Sequence, residues 1–383
     1  MTRSFEKSLR PSDEKLPATS LPEHKWRLDE QIVIARKNTD QVSLSGDRSS
    51  TVFFNCDFSM GEKDREAIEG ILTRNQKLDP EKRSVWYTLI EPLDASRGNQ
   101  GLPIVSVQIK GVVFDVNEEP KTYEGVGWPR EFFFANKQGA IQRYNVFKDD
   151  SIGRCLVSEA VHEYLMCVRA RPLLASTNVH MPLPIAWGIF DTKDASSNKF
   201  GFVILGLPRL VPQREAVYLQ IAEKLDENKD FTDMERLLKL RSYAMRTMHG
   251  KGFLIGYRHF GNISLTYDGD IFMHDVGSSN CLFQEDFYNQ SQFVAEAFAQ
   301  LVYSVTPRKV VIPVPPKNAA ATRVAIDFLD DYIKASLQGY YSNDIRASQI
   351  TFEEFQETFF ESLDRPLNEI NTLVAKIHFE SFK

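Results

Sequence analysis

Two oxygen-bearing side chains, Asn262 and Asp275, bracket the stretch NISLTYDGDIFMHD. Apolar residues alternate through Ile263 and Leu265, an Asp-Gly pair follows at 268–269, and Ile271 and Met273 resume the alternation. That pattern predicts a β-hairpin with the amide at one end and the carboxylate at the other. An amide carbonyl and a carboxylate are hard oxygen donors. Presented from neighbouring loops they suit Mg²⁺ or Mn²⁺, which take a few protein oxygens and keep waters on the remaining positions. Taken one at a time, a turn Asn and a solvated Asp are the plainer readings. Just upstream, Tyr257 and His259 lie in a glycine-bearing loop, IGYRHFG.

The elements that must position these residues are legible in outline. Upstream of the loop, FTDMERLLKLRSYAMRTMHGKG is amphipathic and ends on glycines, as helices often do. Before it, LPIAWGIFDT and KFGFVILGLPRL read as two strands joined by a polar turn. A helix is expected over 149–168, with Asp149, Asp150 and Ser151 as N-cap candidates. REFFFANKQGAIQRYNVF (130–147) reads as a hairpin, PIVSVQIKGVVFDV (103–116) as a strand and 60–78 as a helix. Residues 1 to about 50 are polar, with one apolar island, QIVIA, and read as a mobile arm or loosely docked extension. From about residue 212 helical patterns dominate, including 214–225 and three aromatic-rich C-terminal stretches. Strands first and helices second, with one helix embedded among the strands, indicate an α+β protein.

The order hairpin, helix, two strands, long helix, Asn-bearing loop and Asp-bearing loop resembles the protein-kinase superfamily. In that family a Leu-His pair is followed by a Gly, then H-R-D-L-x-x-x-N and D-F-G. Here Met248-His249 is followed by Gly252, Phe253-Leu254, Ile255-Gly256-Tyr257-Arg258, and NISL from Asn262. DGDIFMHDVGSS then stands where a kinase has its turn, strand and D-F-G, and the register holds without gaps from Met248 to Ser279. The resemblance implies a bilobal fold: a polar arm over 1–50, a β-rich N-lobe over 51–207 and a helical C-lobe over 208–383 with its loops at 248–280. It implies that Asn262 and Asp275 hold the metal of an ATP–Mg²⁺ or ATP–Mn²⁺ complex, with Asp275 also catalytic, and that backbone at Gly206 and Leu207 meets the adenine. Tyr257 occupies the slot of the proton-accepting Asp. A phenol with pKa near 10 is a poor base at neutral pH. His259, two residues on, can contact the terminal phosphate or take the proton. Because phosphoryl transfer is mostly positioning and electrostatics, loss of the base need not abolish it.

SIGRCLVSEAVH (151–162) and EGVGWP (124–129) resemble segments of selenoprotein O, a kinase-fold family that transfers AMP to proteins. On that match Glu124 takes the place of the phosphate-binding Lys, and Arg154 that of its helix Glu, with the signs exchanged. The alternative is a Lys at a strand end, Lys110 or Lys148, paired with Glu159 or Glu163. The resemblances together imply an atypical protein kinase that phosphorylates a protein hydroxyl. Protein AMP transfer and a catalytically dead scaffold are the alternatives.

Composition bounds these readings. The 383 residues are 42% hydrophobic and 26% charged with net charge −6, ordinary for a globular protein and unlike a general nucleic-acid binder. Basic residues on 232–248, with Arg209 and Arg214, leave room for a polyanion or a partner protein as activator. Four scattered cysteines without metal-ligand spacing read as reduced thiols, which points to the cytoplasm, including a host cytosol reached as a secreted effector. No apolar run is long enough to predict a membrane span, and no secretory signal is expected.

Overall fold

The computed structural model describes residues 28–78, 84–93, 102–118, 131–135, 141–145, 153–191, 200–210, 227–249, 253–254, 263–266, 270–274 and 280–281, with a few single positions besides. Its centre is an antiparallel sheet. Strands β1 (Thr39–Leu44), β2 (Ser50–Asn55), β3 (Ser84–Leu93), β4 (Ile104–Lys110), β9 (Leu183–Phe190) and β10 (Phe200–Pro208) run in the order β1-β2-β9-β10-β4-β3. A short β7 (Cys155–Leu156) joins β10 at its start. The continuous apolar runs of β9 and β10 suit the middle of this order, where both faces are covered.

Pairing across the sheet sorts its side chains onto two faces. One face carries Val52, Phe54, Ile109, Phe202 and Ile204, and α2 (Glu62–Thr73) lays Ile68 and Leu72 on it. The opposite face carries the row Phe53, Trp187, Val203, Lys110 and Ser84, each directly across from the next. Helix α3 (Val157–Leu174) packs on β9 and β10, and α1 (Leu28–Ala35) packs on α3. Trp187 stacks on Phe53 at 4.3 Å and donates its indole N–H to Ala35 O at 3.1 Å. The α+β organisation expected from the sequence is the one observed, and the hairpin over 130–147 is present as β5 (Glu131–Ala135) paired with β6 (Ile141–Asn145).

Two expectations are corrected. The segment from 28 onward is not a loose arm: QIVIA lies within α1, with Gln31 and Ala35 buried, and β1 and β2 are strands of the main sheet. The embedded helix starts at Val157, not at 149, and runs on to Leu174. Gly153 adopts φ +78°, a left-handed conformation that glycine takes at little cost, and Arg154 bridges Val112 before the helix begins. Sheet pairing thus overrides the local capping signal, and the Glu159 carboxylate accepts from Leu156 N at 2.9 Å to close the helix start. The helices expected over 214–225 and along the C-terminal third lie outside the described residues, apart from isolated positions.

Asp64 ties α2 to β3 and makes the fold acid-sensitive. It is 1% exposed and accepts from Tyr87 Oη and Ile90 N at 2.8 Å and from Glu91 N at 3.2 Å. Burial pushes its carboxyl up, but the donors from Ile90, Tyr87 and Glu91 together outweigh burial and hold it below the usual carboxylate value. A folded-state value below the unfolded one gives stability that is present above about pH 4 and lost as pH falls through the folded value. In melts from pH 7 to pH 3, the gap between wild type and Asp64→Asn is expected to narrow steadily below about pH 4. A gap that stays constant would rule this linkage out.

Candidate functional site

Lys110 is the last residue of β4, with Ser84 of β3 on one side and Val203 of β10 on the other. Its place in the row under α3 aims the side chain at that helix. Lys110 Nζ meets Glu163 Oε1 at 2.6 Å, with the side chains 19% and 7% exposed. Of the pairings left open by the sequence, this is the one the described residues show. Glu159, one helical turn earlier, is engaged at the helix cap instead. Lys148 lies outside the described residues.

The chain around this ion pair is held from several sides. Gly111 turns immediately after Lys110 with φ +85°, where an added Cβ would come within 2.5 Å of Gly201 O. Val113 N then donates to Gly153 O at 3.1 Å, so the segment leaving Lys110 is stitched to the segment entering α3. Arg48, 3% exposed, donates to Val112 O at 2.6 Å, Phe114 O at 3.4 Å and Ile71 O at 2.9 Å. Its guanidinium lies 4.8 Å from the Phe114 ring centre and 5.0 Å from that of Phe190, and burial pulls its pKa down to about 10. Arg48→Ala removes one charged donor from each of three carbonyls, which keep Phe114 N, Gln76 N and Gln76 Nε2 as their other donors, and removes a stacked cation. A loss of about 3–5 kcal/mol is expected in denaturant unfolding, since hydrogen bonds to a charged group contribute about 1.5–3 kcal/mol each and are not additive. A loss below about 1 kcal/mol would show the anchor to be dispensable.

Arg154 takes a different position from the one implied by the selenoprotein O match. It precedes α3 rather than lying on it, and its guanidinium sits 4.7 Å from Phe114 and 4.9 Å from Phe200. Glu124 lies outside the described residues. The Cys155 thiol is pushed well up by burial and by the carboxylates of Glu159 and Glu163, the state of an inert thiol. Gly206 and Leu207 lie near the end of β10, opposite Val107 and Ser106 of β4. A Cβ at Gly206 would come within 2.9 Å of Ile104 and Ile185, so close packing alone accounts for the glycine.

No family model matches the chain, and no curated protein does. Solved structures that the chain matches include two kinases. One is the kinase domain of a rhoptry antigen from Toxoplasma gondii, at 10% identity over 94% of this chain and 98% of that one, with a TM-score of 0.33. The other is a MAP kinase from Leishmania major, at 10% identity over 84% of this chain and 89% of that one, with a TM-score of 0.29. At these scores the likeness carries no argument, and the functional reading rests on the geometry of the site.

Beyond β10 the chain reaches the hairpin of residues 263–273. Leu210 bridges Thr266, and β12 (Ile263–Leu265) pairs antiparallel with β13 (Ile271–Met273) in the register Ile263–Met273. Thr266 N donates to Asp270 O at 2.8 Å and closes the turn. At the open end, Ser264 Oγ lies 2.6 Å from His274 Nε2, a cross-strand tie one residue before Asp275 and two after Asn262. Asn262, Asp275, Tyr257 and His259 themselves lie outside the described residues. Helix α4 (Thr232–His249) packs against β13. Among the described residues no group of three or more His, Cys, Asp or Glu is placed to hold a metal, and no helix is long and apolar enough to cross a membrane.

Proposed function

We propose that the chain is an atypical protein kinase that uses ATP and Mg²⁺ or Mn²⁺ to phosphorylate a protein hydroxyl. The observation that carries this reading is the Lys110–Glu163 ion pair, set between a strand inside an antiparallel sheet and the helix packed beneath it. A buried ion pair contributes little net stability, because the cost of taking both charges out of water offsets their attraction. Its presence is better explained by a use for the cation. Glu163 holds the ammonium at a fixed place from which it can meet the phosphates of a nucleotide. The succession β4, α3, β9 and β10, with the β5–β6 hairpin, β7 and a two-residue strand (Val179–His180) between them, and the hairpin downstream support the same reading.

The donor set fits the implied partners. Lys110 suits phosphate oxygens, and the Asn262 amide and Asp275 carboxylate suit a hard divalent ion. Tyr257 replaces the usual base, which leaves His259 as the group to contact the transferred phosphate or accept the hydroxyl proton. Basic residues near α4 make a polyanion or protein activator part of the proposal. Turnover of ATP labelled at the γ- or the α-phosphate, with and without polyanions, tests the reading on a mixture of acceptor proteins. Label passing from the γ position supports it; label from the α position selects AMP transfer. Absence of ATP binding by calorimetry with either metal selects a scaffold.

A further inference from the structure

We propose that His180 is a positioning residue that locks the ribbon bearing Asn262 and Asp275 to the helix bearing Glu163. The inference rests on the metal role proposed for those two residues. After α3 ends, Thr177 turns the chain by donating its hydroxyl to Leu174 O at 2.8 Å and accepting from Val179 N at 3.2 Å. The two-residue strand β8 (Val179–His180) follows, and it pairs parallel with β13, Val179 opposite Ile271 and His180 opposite Phe272. Ile271 N donates to Asn178 O at 3.1 Å. The helix itself reaches over this junction, with Arg171 Nη1 donating to Met181 O at 2.7 Å.

Two residues of parallel pairing are a weak connection, since parallel ladders are the less stable kind and normally lie within larger sheets. A side-chain tie supplies what the backbone lacks. His180, 4% exposed, donates from Nε2 to Asp270 Oδ2 at 2.9 Å, and Asp270 closes the turn of the ribbon. The tie is buried on the histidine side and 35% exposed at the carboxylate. One continuous path therefore runs from Glu163 down α3 to His180, across to Asp270, and along β13 toward Asp275. Lys110 meets one end of the path, and the other end is the ribbon that follows Asn262 and precedes Asp275 in the sequence. Phosphoryl transfer needs both at a fixed separation, and a misplacement of about 1 Å is enough to lower the rate about 100-fold.

The test compares the full-length wild type with His180→Ala, His180→Gln and Asp270→Ala. Hydrogen exchange is read on the β12–β13 amides and on α3, ATP affinity is measured without metal, and Mg²⁺ dependence is measured in the transfer assay. Loss of the tie in His180→Ala and Asp270→Ala is expected to speed exchange in the ribbon while leaving α3 unchanged. Residues that orient metal ligands typically affect metal affinity about 10- to 100-fold, so half-maximal transfer should need that much more Mg²⁺. ATP affinity without metal should move less than about twofold, because Lys110–Glu163 is intact. His180→Gln keeps an N–H donor and should recover most of the Mg²⁺ response. Wild-type exchange and Mg²⁺ response in both alanine variants would overturn the lock. So would an equal loss of α3 protection and metal-free ATP affinity, which is the signature of general destabilisation. If the wild type neither binds ATP nor transfers phosphate, the proposed function fails by itself. The exchange arm then decides the lock alone: faster exchange confined to the ribbon upholds it, and unchanged exchange overturns it.

Discussion

Lys110→Met is expected to lower ATP-dependent transfer by about 100-fold or more, the scale seen when a single well-placed group that stabilises transition-state charge is removed. The same substitution takes the Lys110 ammonium from the Glu163 carboxylate, 7% exposed. Breaking a buried pair from one side costs roughly 3–5 kcal/mol. Adding Glu163→Leu removes the other half of the pair and should restore most of the lost stability without restoring transfer. That dissociation separates a functional cation from a structural one. Recovery of transfer in the double variant, or wild-type transfer in Lys110→Met, would remove Lys110 from the site.

Asp275→Ala is expected to abolish metal-dependent transfer, by a factor of about a thousand or more. A divalent ion at the transferring phosphate supplies several kcal/mol of charge stabilisation, and about 1.4 kcal/mol corresponds to tenfold in rate. Asp275→Asn keeps an oxygen donor while losing the charge, so it should retain partial transfer at a higher metal requirement. Asn262→Ala should show a smaller loss, with a raised Mg²⁺ requirement rather than a changed affinity for ATP alone. A loss confined to transfer, with the melting temperature kept, is the expected outcome in all three. Melting curves beside γ-label transfer at several Mg²⁺ and Mn²⁺ concentrations check this. Intact turnover in Asp275→Ala would show that the ribbon does not carry the metal.

Much of the scaffold was legible because its signals are local. The β9 and β10 segments are short continuous apolar runs separated by a polar turn, and the alternation through Ile263 and Met273 and the amphipathic α4 repeat at the period of the element they form. The segment 28–55 was not legible, for a physical reason. β1 reads TDQVSL, with no buried residue, and α1 has eight residues, so neither announces itself without its partner. β1 is fixed by its ladder with β2, and α1 by Trp187 and the flank of α3. At the start of α3, Asp149 and Ser151 offered a local cap. The pairing of Arg154 with Val112 and the left-handed Gly153 decided otherwise.

The candidate site divides along the same line. The sequence by itself determined which residue types are available: a lysine closing a β-branched strand, acidic residues four apart on one helix face, and an amide and a carboxylate at the ends of a patterned hairpin. It could not choose between Glu159 and Glu163, because residues four apart share a helix face and no local rule separates them. The tertiary structure decided by docking α3 on the sheet so that Glu163 faces Lys110, 53 residues away in sequence, while Glu159 was taken up by the helix start. It also moved Arg154 off the helix and onto Phe114, and it joined β8 to the ribbon through His180 and Asp270. Local periodicity encodes elements, whereas a contact between distant residues depends on how whole elements bury their apolar faces against one another, and only the folded chain fixes that.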